Sequence, residues 1–319
     1  LPFNGRRFRR TERPASGIIG LVIFLILVLA AAGFAFQPLL DTWISYDVGS
    51  SPYYACAADL DGDGDWDLAV ANNGSHSVSV LKNSGDGTFA ARVDYGTGGG
   101  PRSVFASDLD GDGDWDLAVA NYGSRTVSVL KNNGDGTFAA KVDYGTGSGP
   151  RSVFASDLDG DGNADLAVAN HGSNTVSILK NNGDGTFAAK VDYGLGGHPL
   201  FVFAYDLDGD GDLDLAEVND GSLSVSLTVS VLKNNGDGTF AAKVDYDVGT
   251  YPTSVFASDL DGDGDGDLAV ANQGSNSVSV LKNNGDGTFA AKVDYGAGRG
   301  PRSVFASDLD GDGDGDLAV

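Results

Sequence analysis

Between residues 101 and 149, apolar and polar positions alternate in four short segments: SVFASDL, DLAVAN, TVSVLKN and TFAAKVDY. A period of two sends alternate side chains to opposite faces, which is the pattern of a β-strand half-buried against a core. Valine and aromatic residues fill the segments, and Gly, Asn and Asp separate them, as strands and turns require. NNGDG between the third and fourth segments is a hairpin signal, because Asn and Gly accept positive φ. After residue 36, no segment keeps a helical period over ten residues. The 49-residue stretch therefore predicts a four-stranded antiparallel meander.

This unit recurs. Aspartate-rich loops begin at Asp59, Asp108, Asp157, Asp206, Asp259 and Asp308, at spacings of 49, 49, 49, 53 and 49 residues. Four strands in a unit of this length fit a β-propeller blade, and a closed ring protects sheet edges that a linear stack would leave open. The predicted fold is thus an all-β propeller. YDVGSSP at 46–52 parallels YDVGTYP at 246–252, so residues 41–46 match a fourth strand that lacks its own first three. That strand is expected to clasp the last blade. The chain stops at DLAV, after two strands of the sixth unit, which implies a truncated sequence and a full ring of six or seven blades.

The N-terminal region breaks the pattern. Five arginines in RRFRRTER precede the uncharged run GIIGLVIFLILVLAAAGFAF at 17–36. Twenty apolar residues in a helix rise about 30 Å, enough to cross a bilayer. The basic flank should stay in the cytoplasm and send the rest outside. A cleaved signal peptide, cut after small residues such as Ala30 and Ala32, is the alternative. The organisation is then a basic segment at 1–16, an anchor or signal at 17–36 and a propeller at 37–319. Both readings give an extracellular or cell-surface protein, membrane-anchored or secreted.

Composition narrows the chemistry. A net charge of −25 argues against nucleic acid as a partner, since phosphate binding needs a basic face. Only Glu12 and Glu217 among the 45 acids are glutamate, so the acidity is that of turns and metal loops rather than of helix faces. Cys56 is the only cysteine, which excludes a disulfide framework and a cysteine-based zinc site.

The first loop, DLDGDGDWD, puts five aspartates into nine residues. Two carboxylates about 4 Å apart repel by roughly 4 kcal/mol at an effective dielectric near 20, so the loop calls for a cation. The spacing D-x-D-G-D-G-x-x-D offers side-chain oxygens at positions 1, 3, 5 and 9, a backbone carbonyl at 7 and a turn glycine at 6. The candidate ligands are Asp59, Asp61, Asp63, Asp65 and Asp67 in the first loop and Asp108, Asp110, Asp112, Asp114 and Asp116 in the second. The third offers Asp157, Asp159, Asp161, Asn163 and Asp165, and the fourth Asp206, Asp208, Asp210, Asp212 and Asp214. The fifth offers Asp259, Asp261, Asp263, Asp265 and Asp267, and the sixth Asp308, Asp310, Asp312, Asp314 and Asp316. An all-oxygen set crowded with carboxylates suits Ca²⁺ better than octahedral Mg²⁺, with one ion expected per loop. It is not an EF-hand: position 12 is valine (Val70, Val119), and a strand follows the loop. Without a bidentate glutamate the sites should be weak, roughly 10⁻⁴–10⁻³ M.

With DLDGDGDWDLAVAN and the GxGP ahead of the first strand, the units resemble FG-GAP or VCBS-type repeats, similar to the calcium-bearing blades of integrin α-subunit propellers. The resemblance covers about 41–319. It implies calcium between the first and second strands, and roles in adhesion or in glycan or protein binding at cell surfaces.

In a four-stranded meander the calcium loops and NNGDG hairpins share one face, which barely varies among the copies. The opposite face varies. Its second-to-third loops carry Asn73, Tyr122, His171, Asp220 and Gln273, and after the connector proline stand Tyr53, Arg102, Arg151, Leu200, Thr253 and Arg302. Tyr122, His171, Arg102, Arg151 and Arg302 are the candidate ligand residues, although exposed loops also drift without binding anything. His76, His171 and His198 lie in different units with no catalytic motif beside them. The function expected is therefore a calcium-binding, non-enzymatic adhesion module for an extracellular protein or glycan. The alternatives are the propeller domain of a polysaccharide lyase or hydrolase, or a purely structural surface protein.

Overall fold

The computed structural model describes residues 44–221, 227–309 and 315–319. The predicted anchor at 17–36 lies outside them. Among the described residues no helix is long and apolar enough to cross a membrane.

The first sheet contains β1 (Pro52–Ala58), β2 (Asp67–Asn72), β3 (Ser77–Leu81) and β4 (Val93–Gly96), hydrogen-bonded in chain order. The second repeats it with β5 (Pro101–Ser107), β6 (Asp116–Asn121), β7 (Thr126–Leu130) and β8 (Val142–Gly145). Strands β9–β12 (150–194), β13–β16 (199–247) and β17–β20 (252–296) form three more such meanders. The last two, β21 (Phe305–Ser307) and β22 (Asp316–Ala318), pair alone. The architecture is all-β, a series of four-stranded sheets that resemble propeller blades.

The fourth strand is shorter than the alternation in TFAAKVDY predicts. Phe138 pairs with Asn132 in an isolated bridge, whereas farther along Val142 pairs with Val129. One extra residue therefore sits on the outer strand, a bulge that breaks the ladder. It leaves Phe138 8% exposed and edge-on to Tyr95 of the preceding blade, ring centroids 5.2 Å apart. The same contact joins Tyr144 to Phe187, Tyr193 to Phe240 and Tyr246 to Phe289.

The second strands of the first five blades are buried almost throughout on both faces, whereas β22 is only half-buried. Ala118 and Ala120 of β6 share a core cluster with Leu166 and Val168 of the third blade. Small side chains on one blade thus receive large ones from the next, the complementarity that close packing needs. One residue departs from this. Glu217 stands fully buried where Val70, Val119, Val168 and Val270 stand in the other blades.

The innermost strands bring the blades together. Phe105, Phe154, Phe203, Phe256 and Phe305 form a continuous row of rings, with successive centroids 4.9, 5.3, 4.9 and 4.9 Å apart. Cys56 takes the corresponding place in the first blade, half-buried, and burial pushes its thiol up to about 12.

Among the described residues the expected clasp is not formed, and residues 41–43 of it lie outside them. Residues 44–48 belong to no strand, and no sheet joins the first unit to the sixth. A fourth strand needs a third strand beside it, and among the described residues the sixth unit contributes only β21 and β22. Tyr46 nonetheless keeps the place of a fourth-strand tyrosine, edge-on to Phe89 at 5.3 Å, with its hydroxyl accepting from the Phe89 amide.

Candidate metal centres and the variable face

Each aspartate-rich loop joins the first strand of a blade to the second, and its own carboxylates fold it. In the second blade Asp108 accepts from the amides of Gly111 at 2.7 Å and Gly113 at 3.0 Å. Gly113 has φ of 96°, a conformation that strains any residue with a Cβ, so the predicted turn glycine is required there. Asp116 is fully buried and accepts from Leu109 N at 3.0 Å and Asn132 N at 2.7 Å.

These turns bring oxygens together. One oxygen each from Asp59, Asp61 and Asp67 lies within 4.8 Å of the others, and so do those of Asp108, Asp110 and Asp116 and of Asp157, Asp159 and Asp165. The fourth and fifth loops gather Asp206, Asp208 and Asp210, and Asp259, Asp261 and Asp263. Thus positions 1 and 3 meet in all five of these loops, joined by position 9 in three and by position 5 in two. In all five loops the position 5 carboxylate, Asp63, Asp112, Asp161, Asp210 or Asp263, also accepts from the amide two residues on. Asp214 and Asp267, at position 9 of the fourth and fifth loops, accept from Leu207 N and Leu260 N. At position 7, where only a carbonyl is expected to ligate, Asp65, Asp114, Asn163, Asp212 and Asp265 turn their side chains toward hairpin glycines of their own blades. In the sixth loop Asp316 accepts from Leu309 N at 3.0 Å, Asp308 is described, and Asp310, Asp312 and Asp314 lie outside the described residues.

The donor set fits a hard cation. Asp61, Asp110, Asp159 and Asp208 each bury one oxygen, Oδ1, that no donor reaches. A buried, unpaired carboxylate oxygen is costly, and a bound cation would satisfy it. Burial, with the neighbouring loop carboxylates adding to it, pushes Asp116, Asp165 and Asp214 up to about 6 and raises Asp67 and Asp267 in the same direction.

The opposite face gathers the variable residues. Arg102 lies over the Tyr122 ring at 3.6 Å and near Tyr53 at 5.2 Å. Arg151 donates to the Tyr53 hydroxyl at 3.0 Å, although 98 residues separate them. His171 stacks on His198 with centroids 4.7 Å apart and lies 3.3 Å from an Asp220 carboxylate oxygen. Tyr53, Arg102, Arg151, Leu200, Thr253 and Arg302 all line one central cavity of about 560 Å³. Tyr122 and His171 reach it through Arg102 and through each other, their rings 6.3 Å apart. Their convergence was not evident in the sequence, although its signal is there: each post-proline residue stands at or just ahead of an inner strand, and all six line the cavity. Trp115, from the second aspartate-rich loop, also lines this cavity and is 37% exposed.

Residues 59–119, 108–168, 157–217, 218–270 and 259–319 each match the model of the FG-GAP-like repeat. The chain belongs to the FG-GAP repeat family. No curated protein matches its sequence. Among solved structures it is similar to an Agrocybe aegerita lectin described as recognising non-reducing terminal N-acetylglucosamine, at 24% identity and TM-score 0.53, over 76% of this chain and 66% of that one. A putative 6-phosphogluconolactonase from Bacteroides fragilis shares 16% identity at TM-score 0.58, over 79% and 70% of the two chains. A periplasmic gluconolactonase from Pseudomonas aeruginosa shares 20% at TM-score 0.54, over 82% and 72%. At these identities the likeness is one of fold alone.

The FG-GAP loops are coupled from blade to blade. Lys82, Lys131, Lys180 and Lys233, each just past a third strand, lie 3.4, 3.2, 3.1 and 3.3 Å from the outer oxygens of Asp61, Asp110, Asp159 and Asp208. Each also donates to a carbonyl in the next blade's NNGDG hairpin, at Asp135, Asp184, Asp237 and Asp286. One lysine thus neutralises part of each of the first four FG-GAP loops and ties it to the following blade, leaving the inner oxygen without a donor. The sequence reading missed this role of VLKN, whose lysine lies far from the loop in the chain.

Proposed function

We propose that the chain is a calcium-pinned, propeller-like binding module that acts outside the cell, held there by the apolar segment at 17–36, and that its variable face takes up a protein or glycan. The observation that carries this reading is the division of the molecule. Near-identical loops with orphaned carboxylate oxygens occupy one face, and differing residues converge on a single cavity at the other. Calcium suits the all-oxygen set and would relieve the repulsion within each loop. The printed description of the Agrocybe aegerita lectin offers a precedent for sugar recognition on a similar fold.

A second reading, a polysaccharide lyase or hydrolase, is favoured by one feature. Burial holds His171 below its ordinary value against the opposing pull of Asp220, which keeps a neutral imidazole beside a carboxylate at the cavity rim. The test is to screen the full chain against immobilised glycans and matrix proteins in millimolar calcium. Retention that is lost on chelation and in Tyr122→Ala with His171→Ala supports a binding module. Cleavage of a polysaccharide that stops with His171→Ala supports the enzyme instead.

A further inference from the structure

We propose that the mouth of the central cavity is an anion site that receives the carboxylate of an acidic sugar, a uronate unit of a glycan. This rests on the binding-module reading and names the ligand class of that same face.

The first ground is charge. The chain carries −25, yet the charged residues lining the cavity are Arg102, Arg151 and Arg302, with no Asp or Glu among them. None of the three forms an ion pair among the described residues, whereas ten lysine– or arginine–carboxylate contacts are made there. In so acidic a protein, three unpaired guanidiniums at one opening are a counterion site. Arg102 and Arg151 also lie close enough that the charge of one opposes that of the other. A bound carboxylate would relieve that repulsion.

The second ground is pre-organisation. Arg102 is held between the Tyr122 and Tyr53 rings, and its Nε is buried with no acceptor. Arg151 is fixed by the Tyr53 hydroxyl at 3.0 Å. With its amide oxygen turned toward the guanidinium, Gln273 accepts from Arg302 Nε and Nη2, both at 3.2 Å. Arginines held by neutral partners keep their charge while losing little entropy on binding, and their planar forks match carboxylate geometry.

The third ground is the wall. Tyr53 is 48% exposed beside the arginines, and its ring offers a flat apolar surface with a hydroxyl at its edge. Ser103, Ser152 and Thr253 add hydroxyl groups to the lining. A pyranose needs such a surface for its C–H face and such groups for its hydroxyls. A volume of about 560 Å³ falls in the range of roughly 300–1,000 Å³ usual for small-ligand sites.

The test is calorimetric titration of the full chain, in millimolar calcium, with a glucuronate-containing hexasaccharide and with the same hexasaccharide after reduction of its carboxyl groups. Binding should weaken at least tenfold on carboxyl reduction and by a similar factor in Arg102→Met with Arg151→Met. Arg102→Lys with Arg151→Lys, which keeps charge but loses the forks, should fall between. An unchanged calcium-dependent melting temperature would show that the variants fold. Equal binding of the reduced hexasaccharide would overturn the anion site yet leave a glycan-binding module intact. Equal binding of a tetraglutamate peptide would overturn the assignment to sugar. If neither hexasaccharide binds while another immobilised ligand does, the inference fails and the binding-module reading survives.

Discussion

Asn132 Nδ2 donates to the Leu60 carbonyl at 2.7 Å, joining the third-to-fourth hairpin of one blade to the metal loop of the blade before it, 72 residues away. The bond recurs from Asn181 to Leu109, Asn234 to Leu158 and Asn283 to Leu207. In each case the asparagine's own amide donates to the buried aspartate at position 9 of its own loop, as Asn132 N does to Asp116 at 2.7 Å. One aspartate-rich loop therefore orients the side chain that braces the preceding loop, so ordering is passed along the array through hydrogen bonds rather than apolar contact alone.

Replacing Asn132 by alanine should break that relay. Its side chain also accepts from Gly134 N and Gly136 N, so several buried groups lose partners at once. A loss of about 2–3 kcal/mol is expected, since each buried group left unsatisfied costs about 1–3 kcal/mol and the losses overlap. Urea unfolding in calcium measures it. A loss below about 0.5 kcal/mol would mean that the blades are held together without the relay.

Asp61→Asn keeps the shape of the first loop but removes one charge from its oxygen cluster. Calcium stoichiometry should drop by one ion per chain. In chelator the variant should melt no lower than the parent by more than an exposed ion pair explains, about 0–1 kcal/mol, because Lys82 alone loses a charged partner while carboxylate repulsion eases. An unchanged stoichiometry by calorimetry would remove Asp61 from the ligand set.

Calcium uptake should be linked to protons. Without metal, Asp116, Asp165 and Asp214 titrate at about 6, well above an ordinary aspartate near 3.9. Below that pH a proton must leave before an ion can enter, so affinity should weaken as pH falls from 7 to 5. Titrations at pH 5.5 in buffers of different ionisation enthalpy would reveal the released protons as buffer-dependent heat. Heat independent of buffer would contradict the linkage.

Glu217 should lower stability in a pH-dependent way. Both of its oxygens are buried without partners, and burial raises its carboxyl well above the ordinary glutamate value. Between about pH 4.3 and that raised value the unfolded chain is ionised while the folded chain still holds the proton. Stability then falls by about 1.4 kcal/mol per pH unit as pH rises. Glu217→Val, which restores the residue of the other blades, should be more stable at pH 7, and its advantage should shrink toward pH 4. Denaturation curves at three pH values test this, and a pH-independent difference would contradict it.

Much of this was legible in the sequence. The period-two alternation gave the strands of β1 to β20, and the aspartate spacing gave the carboxylate clusters of the loops, because both depend on residues near one another in the chain. What escaped depends on distant residues. The bulge before Val142 exists because Phe138 must reach Tyr95 of another blade. Lys131 looks like a solvated strand end until the fold brings it within 3.2 Å of Asp110. The gathering of Arg102, Arg151 and Arg302 likewise follows from the radial packing of inner strands, which no single repeat reveals.

The most direct test is a calorimetric calcium titration of the full chain, paired with melting curves in millimolar calcium and in chelator. Several similar sites, weak at roughly 10⁻⁴–10⁻³ M, together with a large loss of melting temperature in chelator, are the expected result. No heat of binding and identical melting in both conditions would contradict the calcium-pinned array.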